Sequence, residues 1–167
     1  MNKKIDATKV IFIIYCLILT WIILFKTSFS FSDIHWFEGV RRINVIPFYY
    51  ADDVGKFHLR EVVMNVIAFV PFGFYAKMLG ITAKRSIIIG FLTSLIFELS
   101  QFILNIGAAD ITDIITNTLG AFAGICLYLL IKKIFVNETK IHKIINIMAT
   151  VVISLFLLLV LVLFINN

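Results

Sequence analysis

The sequence predicts an all-α polytopic membrane bundle of about five transmembrane helices. Three observations carry that prediction. The chain is 61% hydrophobic with a mean hydropathy of +1.03, where a soluble domain is roughly 45–50% apolar. The excess is gathered into runs near the ~20 residues that cross ~30 Å of hydrocarbon at ~1.5 Å per residue. The 15 Lys and Arg residues stand at the ends of those runs. The basic pI of about 9.3 therefore speaks of topology and not of nucleic acid. One domain over residues 1–167 is expected, with no room for a second. Cys16 and Cys126 both lie inside apolar runs and lack metal-ligand spacing such as C-x-x-C, so no metal and no cofactor is expected.

The first span covers about 10–25, VIFIIYCLILTWIILF. Lys3 and Lys4 precede it as they would a signal peptide, but KTSFSFSD downstream offers no A-x-A-like cleavage site, so an uncleaved anchor is expected. Residues 26–60 follow, too long for a plain connection. They hold Phe29, Phe31, Trp36, Phe37, Phe48, Tyr49, Tyr50 and Phe57. Such aromatic density belongs at the headgroup level, so the segment is expected to lie in the interface or to dip back onto the bundle. Within it, RRINVIPF (41–48) joins Arg41 and Arg42 to Asn44 and an extended turn at Pro47. Two roles are open to the arginines: anchoring to lipid phosphates, or clamping an anionic ligand through the planar guanidinium fork.

The second span covers about 61–78. Glu61 and Asn65 share a face at i,i+4, and Pro71, which cannot donate a hydrogen bond, predicts a kink. An amide facing lipid is costly, which turns Asn65 inward. The third span, about 86–105, and the fourth, about 111–131, flank FELSQFILNIGAADITDIITN (97–117). Glu98, Gln101 and Asn105 fall on one face, and Asp110, Asp113 and Asn117 repeat the spacing on the next helix. A symmetrical hairpin would set Glu98 opposite Asn117, Gln101 opposite Asp113 and Asn105 opposite Asp110, with the deepest pair about 10 Å below the turn. Asn105-Ile106-Gly107 suits a left-handed helix end, Asp110 an N-cap and Asp113 the positive end of the dipole. Capping leaves Glu98, Gln101 and Asn117 unexplained. A carboxylate at membrane depth costs about 2.5–3.5 kcal/mol on insertion scales, so Glu98 is read as functional, with Arg41, Arg42 or a proton as partner. Gly120 and Gly124 form a small-xxx-small face for close helix packing. The fifth span covers about 144–165.

Charge placement orients the spans. Lys3, Lys4, Lys9, Lys77, Lys84, Arg85, Lys132, Lys133, Lys140 and Lys143 fall on one side, against Lys26, Arg41, Arg42, Lys56 and Arg60 on the other. The positive-inside rule then makes the N-terminus cytoplasmic and the C-terminus external, with 26–60 outside.

In this order, RRINVIPF, NVIAFVPFGF (65–74), SLIFELSQF (94–102) and ADITDIITNTLGAFAG (109–124) resemble the VanZ-like family of bacterial membrane proteins. The resemblance covers about residues 10–135. It implies a multi-pass protein of the bacterial cytoplasmic membrane, whose family namesake is associated with resistance to the glycopeptide antibiotic teicoplanin. The family's polar and small positions carry over onto Arg41, Asn44, Pro47, Asn65, Pro71, Gly73, Glu98, Gln101, Asp110, Asp113, Asn117 and Gly120. Members often have an Arg shortly before the D-x-x-D-x-x-x-N element, where this chain has Ala108 and Ala109.

The leading expectation is an outward-facing site for an anionic envelope component, a lipid phosphate or lipid-linked cell-wall precursor. Arg41 and Arg42 would hold the anion, while Asn65, Gln101 and Asn117 orient it, with Asn44 also in the ligand-binding set. Glu98, Asp110 and Asp113 would take an amine, a cation or a proton. One alternative is a phosphate-ester enzyme using a divalent metal, with Glu98 and Asp113 as catalytic candidates. A proton-coupled carrier or flippase titrating Glu98 is another.

Overall fold

The computed structural model describes residues 6–25, 42–48, 55–135 and 137–165. Arg41 and most of the aromatic stretch between the first two helices lie outside the described residues. Five helices form: α1 (Ala7–Phe25), α2 (Gly55–Met78), α3 (Ala83–Leu104), α4 (Ile111–Ile134) and α5 (Glu138–Ile165). Each is long and apolar enough to cross a membrane. The chain is an all-α, multi-pass membrane bundle. The helices overrun the apolar spans by a few residues, because backbone hydrogen bonding continues past the point where side chains turn polar. α2 runs through Pro71 as one helix.

α2 and α4 form the central pair, and glycines let their backbones touch. A Cβ at Gly124 would lie 2.8 Å from the Phe74 nitrogen and nearer still to the Val70 carbonyl. At Gly73 it would lie 2.9 Å from the Cα of Ala121, and at Gly120 2.9 Å from the Cβ of Phe69. The small-residue face is therefore an intramolecular seam. With lipid as apolar as leucine, such van der Waals contact, and not expulsion of water, holds helices together.

Around the seam, Leu19, Phe69, Phe72, Phe97 and Ala121 form one buried cluster. Ile11, Phe74, Tyr75, Met78 and Tyr128 form a second toward the other end. Phe74 meets Tyr128 edge-on, ring centroids 5.5 Å apart, the arrangement that the aromatic quadrupole favours. The Tyr15 hydroxyl donates to the Ala68 carbonyl in α2.

α5 has no buried residue and leans Ile145, Ala149 and Ile153 on the second cluster. Polar contacts fix it there. Asn146 Nδ2 donates to Thr8 Oγ1 at 2.9 Å, and the Tyr75 hydroxyl donates to Asn146 Oδ1 at 3.5 Å.

α3 begins at an N-cap, Thr82, whose side chain accepts from the Arg85 nitrogen. It ends at Asn105, which adopts a left-handed conformation (φ 55°). The expected cap is therefore present, formed by the asparagine itself. Two short strands, β1 (Ile43–Asn44) and β2 (Ala109–Asp110), pair in parallel with Ile43 beside Ala109 and Asn44 beside Asp110. So the described part of the long segment does dip back onto the bundle.

Candidate functional site

The site is built at the end of the bundle where α3 turns into α4. Four N–H groups open any helix, and α4 meets this with Asp110, whose Oδ1 accepts from the Thr112 nitrogen at 2.7 Å. The same residue does more than cap. Its Oδ2 accepts from Asn44 Nδ2 at 3.1 Å, and its own N–H donates to Glu98 Oε2 at 2.7 Å. Asn44 Oδ1 accepts from the Ile46 nitrogen, and the Phe48 nitrogen donates to Thr112 Oγ1. The Ala109 nitrogen donates to the Arg42 carbonyl at 3.0 Å. Glu98, Asn44 and Asp110 thus bolt segment 42–48 across the turn. Glu98 is 3% exposed, and part of what fixes it at this depth is a backbone N–H it satisfies. That structural duty was not legible from spacing, which does not show where a turn's N–H groups point.

The expected depth pairing is off by about one helical turn. Asn117 Nδ2 donates to Ser94 Oγ at 2.9 Å, one turn deeper in α3 than Glu98. The turn is not symmetrical: its last residues descend in extended form through β2, so α4 starts deeper than a tight hairpin would place it.

On the other side of the turn, a cavity of about 310 Å³ opens between α1, α2, α3 and α4. Its polar lining is Glu61, Asn65, Gln101, Asp113 and Asn117. Asn65 Nδ2 donates to Asp113 Oδ1 at 2.7 Å, tying α2 to α4. Gln101 Nε2 donates to the Ile23 carbonyl at 2.9 Å, capping the open end of α1. Four sequence-designated residues therefore meet in one place. Glu61 joins them; its i,i+4 relation to Asn65 was the signal for it. Ser94, the partner of Asn117, had no such signal, since a serine in an apolar helix ordinarily bonds its own backbone.

Asn44, Glu98 and Asp110 belong to the bolt across the turn. The side chain of Arg42 is exposed. Among the described residues, no three His, Cys, Asp or Glu side chains gather as a metal set.

The Asn65–Asp113 link makes a measurable statement. In a double-mutant cycle of Asn65→Ala and Asp113→Ala, read by thermal unfolding in detergent, we expect a coupling of about 1 kcal/mol. Additive losses would remove the link from the list of what joins α2 to α4.

The VanZ/LLP1 family pattern matches residues 12–134, a stretch holding the turn, the bolt and the whole cavity lining. The chain belongs to the VanZ/LLP1 family. It is 38% identical over 136 residues to Protein VanZ of Enterococcus faecium, 79% of each chain being covered. No solved structure matches it. The four sequence segments that resemble the family now have places in this VanZ-like bundle. RRINVIPF contributes the part of the bolt that crosses the turn. NVIAFVPFGF supplies Asn65 to the cavity and Gly73 to the seam. SLIFELSQF supplies Ser94, Glu98 and Gln101. ADITDIITNTLGAFAG supplies β2, the α4 cap, Asp113, Asn117 and both seam glycines of α4.

Proposed function

We propose that this VanZ-like protein lies in the bacterial cytoplasmic membrane, with its turn end outward, and binds a cell-envelope component there in support of teicoplanin resistance. One observation carries the reading: Asn65, Gln101, Asp113 and Asn117, drawn from three helices, line a single cavity. Intramembrane polar residues of this kind are expensive and mark function by default. The Lys/Arg distribution supports the outward orientation, and with it an N-terminus in the cytoplasm. The component is a phosphate-bearing lipid or lipid-linked cell-wall precursor. Arg41 and Arg42 engage its phosphate, as guanidinium forks do, and the cavity receives another part of it.

The carboxylates that a metal-dependent phosphate-ester enzyme would gather are divided here between the bolt and the cavity, which favours binding. The test is susceptibility. In a host made resistant by the wild-type protein, Arg42→Ala combined with Asp113→Ala should restore teicoplanin susceptibility to the level of the empty host, at unchanged membrane abundance. Wild-type resistance in that double variant would end this reading.

A further inference from the structure

The cavity runs from a buried inner wall to an exposed outer one. Gln101 of α3 and Asn117 of α4 are 3% and 1% exposed, whereas Met64 and Ile67 of α2 are 55% and 57% exposed. All four line the same space. The α2 span begins at Leu59, so Ile67 stands about 12 Å along the helix from that end, at hydrocarbon depth. Ile22 and Ile23 of α1 complete the outer side. α1 is tied to the bundle at both ends of this stretch: the Tyr15 hydroxyl donates to the Ala68 carbonyl, and the Ile23 carbonyl accepts from Gln101 Nε2 at 2.9 Å. Residues 15 to 23 span about 12 Å of helix. Facing that length, the α2 side chains that line the cavity also reach the perimeter of the bundle, which in a membrane is lipid.

We propose that the ligand enters this cavity sideways from the membrane, between α1 and α2, and is an amphiphile whose alkyl chain stays in that opening against Ile22, Met64 and Ile67 while its polar part meets the inner wall. This rests on reading the cavity as the ligand site, and adds the ligand's route and the end that stays outside. A water-soluble compound would have to cross hydrocarbon to reach an opening at this depth, whereas a lipid is already there. Ile22, Met64 and Ile67 offer a chain apolar contact, and Asn65, Gln101, Asp113 and Asn117 stand further in. The two sides thus sort the two halves of an amphiphile. At about 310 Å³ the cavity stands at the small end of ligand sites, which run from ~300 to ~1,000 Å³. It holds a polar group and the first part of a chain, not a whole glycolipid. Contact along the chain is van der Waals packing, the same force that joins these helices. The polar inner wall is what separates a bound ligand from a passing lipid.

The experiment is photolabelling of the purified full-length protein, in phosphatidylcholine nanodiscs, with dodecyl phosphate that carries a diazirine at mid-chain. Mass spectrometry of the labelled peptides should place the label on the α1 and α2 residues of the opening, and excess unlabelled dodecyl phosphate should reduce it at least fivefold. Label on Ile96 and Leu158, exposed on α3 and α5 and outside the cavity lining, should not respond to the competitor. Glycerol 3-phosphate, which has no chain, should not compete either. Met64→Trp and Ile67→Trp, which fill the opening, should each remove the competed label and raise teicoplanin susceptibility at least fourfold at unchanged membrane abundance, while Ile96→Trp should change neither. If a tryptophan variant fails to fold, the labelling of the wild-type protein still decides. Uniform label that no competitor reduces would overturn the proposal by assigning it to ordinary lipid contact. So would equal competition by glycerol 3-phosphate, or wild-type labelling and resistance in both tryptophan variants. If Arg42→Ala with Asp113→Ala abolishes resistance while the tryptophan variants keep it, the site stands and the sideways route falls. If the opening is labelled competitively but that double variant stays resistant, the route stands and the functional reading falls.

Discussion

A valine at Gly124 is expected to abolish the native bundle. The added Cβ alone would enter the Val70 carbonyl and lie 2.8 Å from the Phe74 nitrogen, and backbone cannot step aside as a side-chain tip can. Ordinary overpacking costs about 1–3 kcal/mol by forcing side chains off their rotamers. Here α2 and α4 must separate along the seam, which also pulls apart Gly73 from Ala121 and Gly120 from Val66. The loss should therefore reach or exceed about 3 kcal/mol, the upper end of ordinary overpacking. Fluorescence-detected size exclusion after a heating series should show a collapsed midpoint and low membrane yield. Gly80 serves as the control. It sits at φ 83° with open space around its Cα, so alanine there pays for backbone conformation alone. An unchanged midpoint for Gly124→Val would mean that the two backbones do not touch as described.

The second large effect concerns Glu98, and it separates charge from hydrogen bonding. Glu98→Leu leaves the Asp110 N–H without its acceptor, a loss of about 1–3 kcal/mol for a buried donor, and loosens the bolt that Asp110 makes with Asn44. Glu98→Gln keeps a carbonyl oxygen for that N–H while removing the carboxylate charge. We expect the glutamine variant to match wild type in thermal midpoint and in resistance. The leucine variant should lose stability and become cleavable by trypsin after Arg42. A glutamine variant as impaired in resistance as the leucine variant, at normal stability, would return Glu98 to the role of a titrating group and revive the proton-coupled carrier.

Most of the architecture was legible because membrane spans are written in composition. All five spans emerge as helices, and Asn105, Asp110 and the Gly120/Gly124 face do what local stereochemistry predicts of them. The site was legible as a set of residues but not as a geometry. Mirrored spacing about Gly107 presumes a symmetrical turn, whereas β2 carries the chain down in extended form and shifts α4 by about a turn against α3. Glu98 was read from sequence as a functional carboxylate, and its bond to the Asp110 N–H was not foreseen, because a side chain that accepts a distant backbone N–H leaves no trace in helical periodicity. Ser94 was missed for a related reason: it gains meaning only from Asn117 on another helix.

The parallel pairing of β1 with β2 has a consequence for how the protein is made. Parallel strands cannot be joined by a tight turn and need a crossover; here the crossover is the whole of α2 and α3. Asn44 lies 66 residues before its partner Asp110, so the ribosome must deliver two complete membrane spans and the start of a third before the bolt can close. During synthesis the segment waits unpaired on its side of the membrane, and closing so long a loop comes after the local helix contacts that make it affordable. Closure of the bolt is thus a late step in biogenesis, one that can occur only after α2, α3 and the first turn of α4 have reached their places.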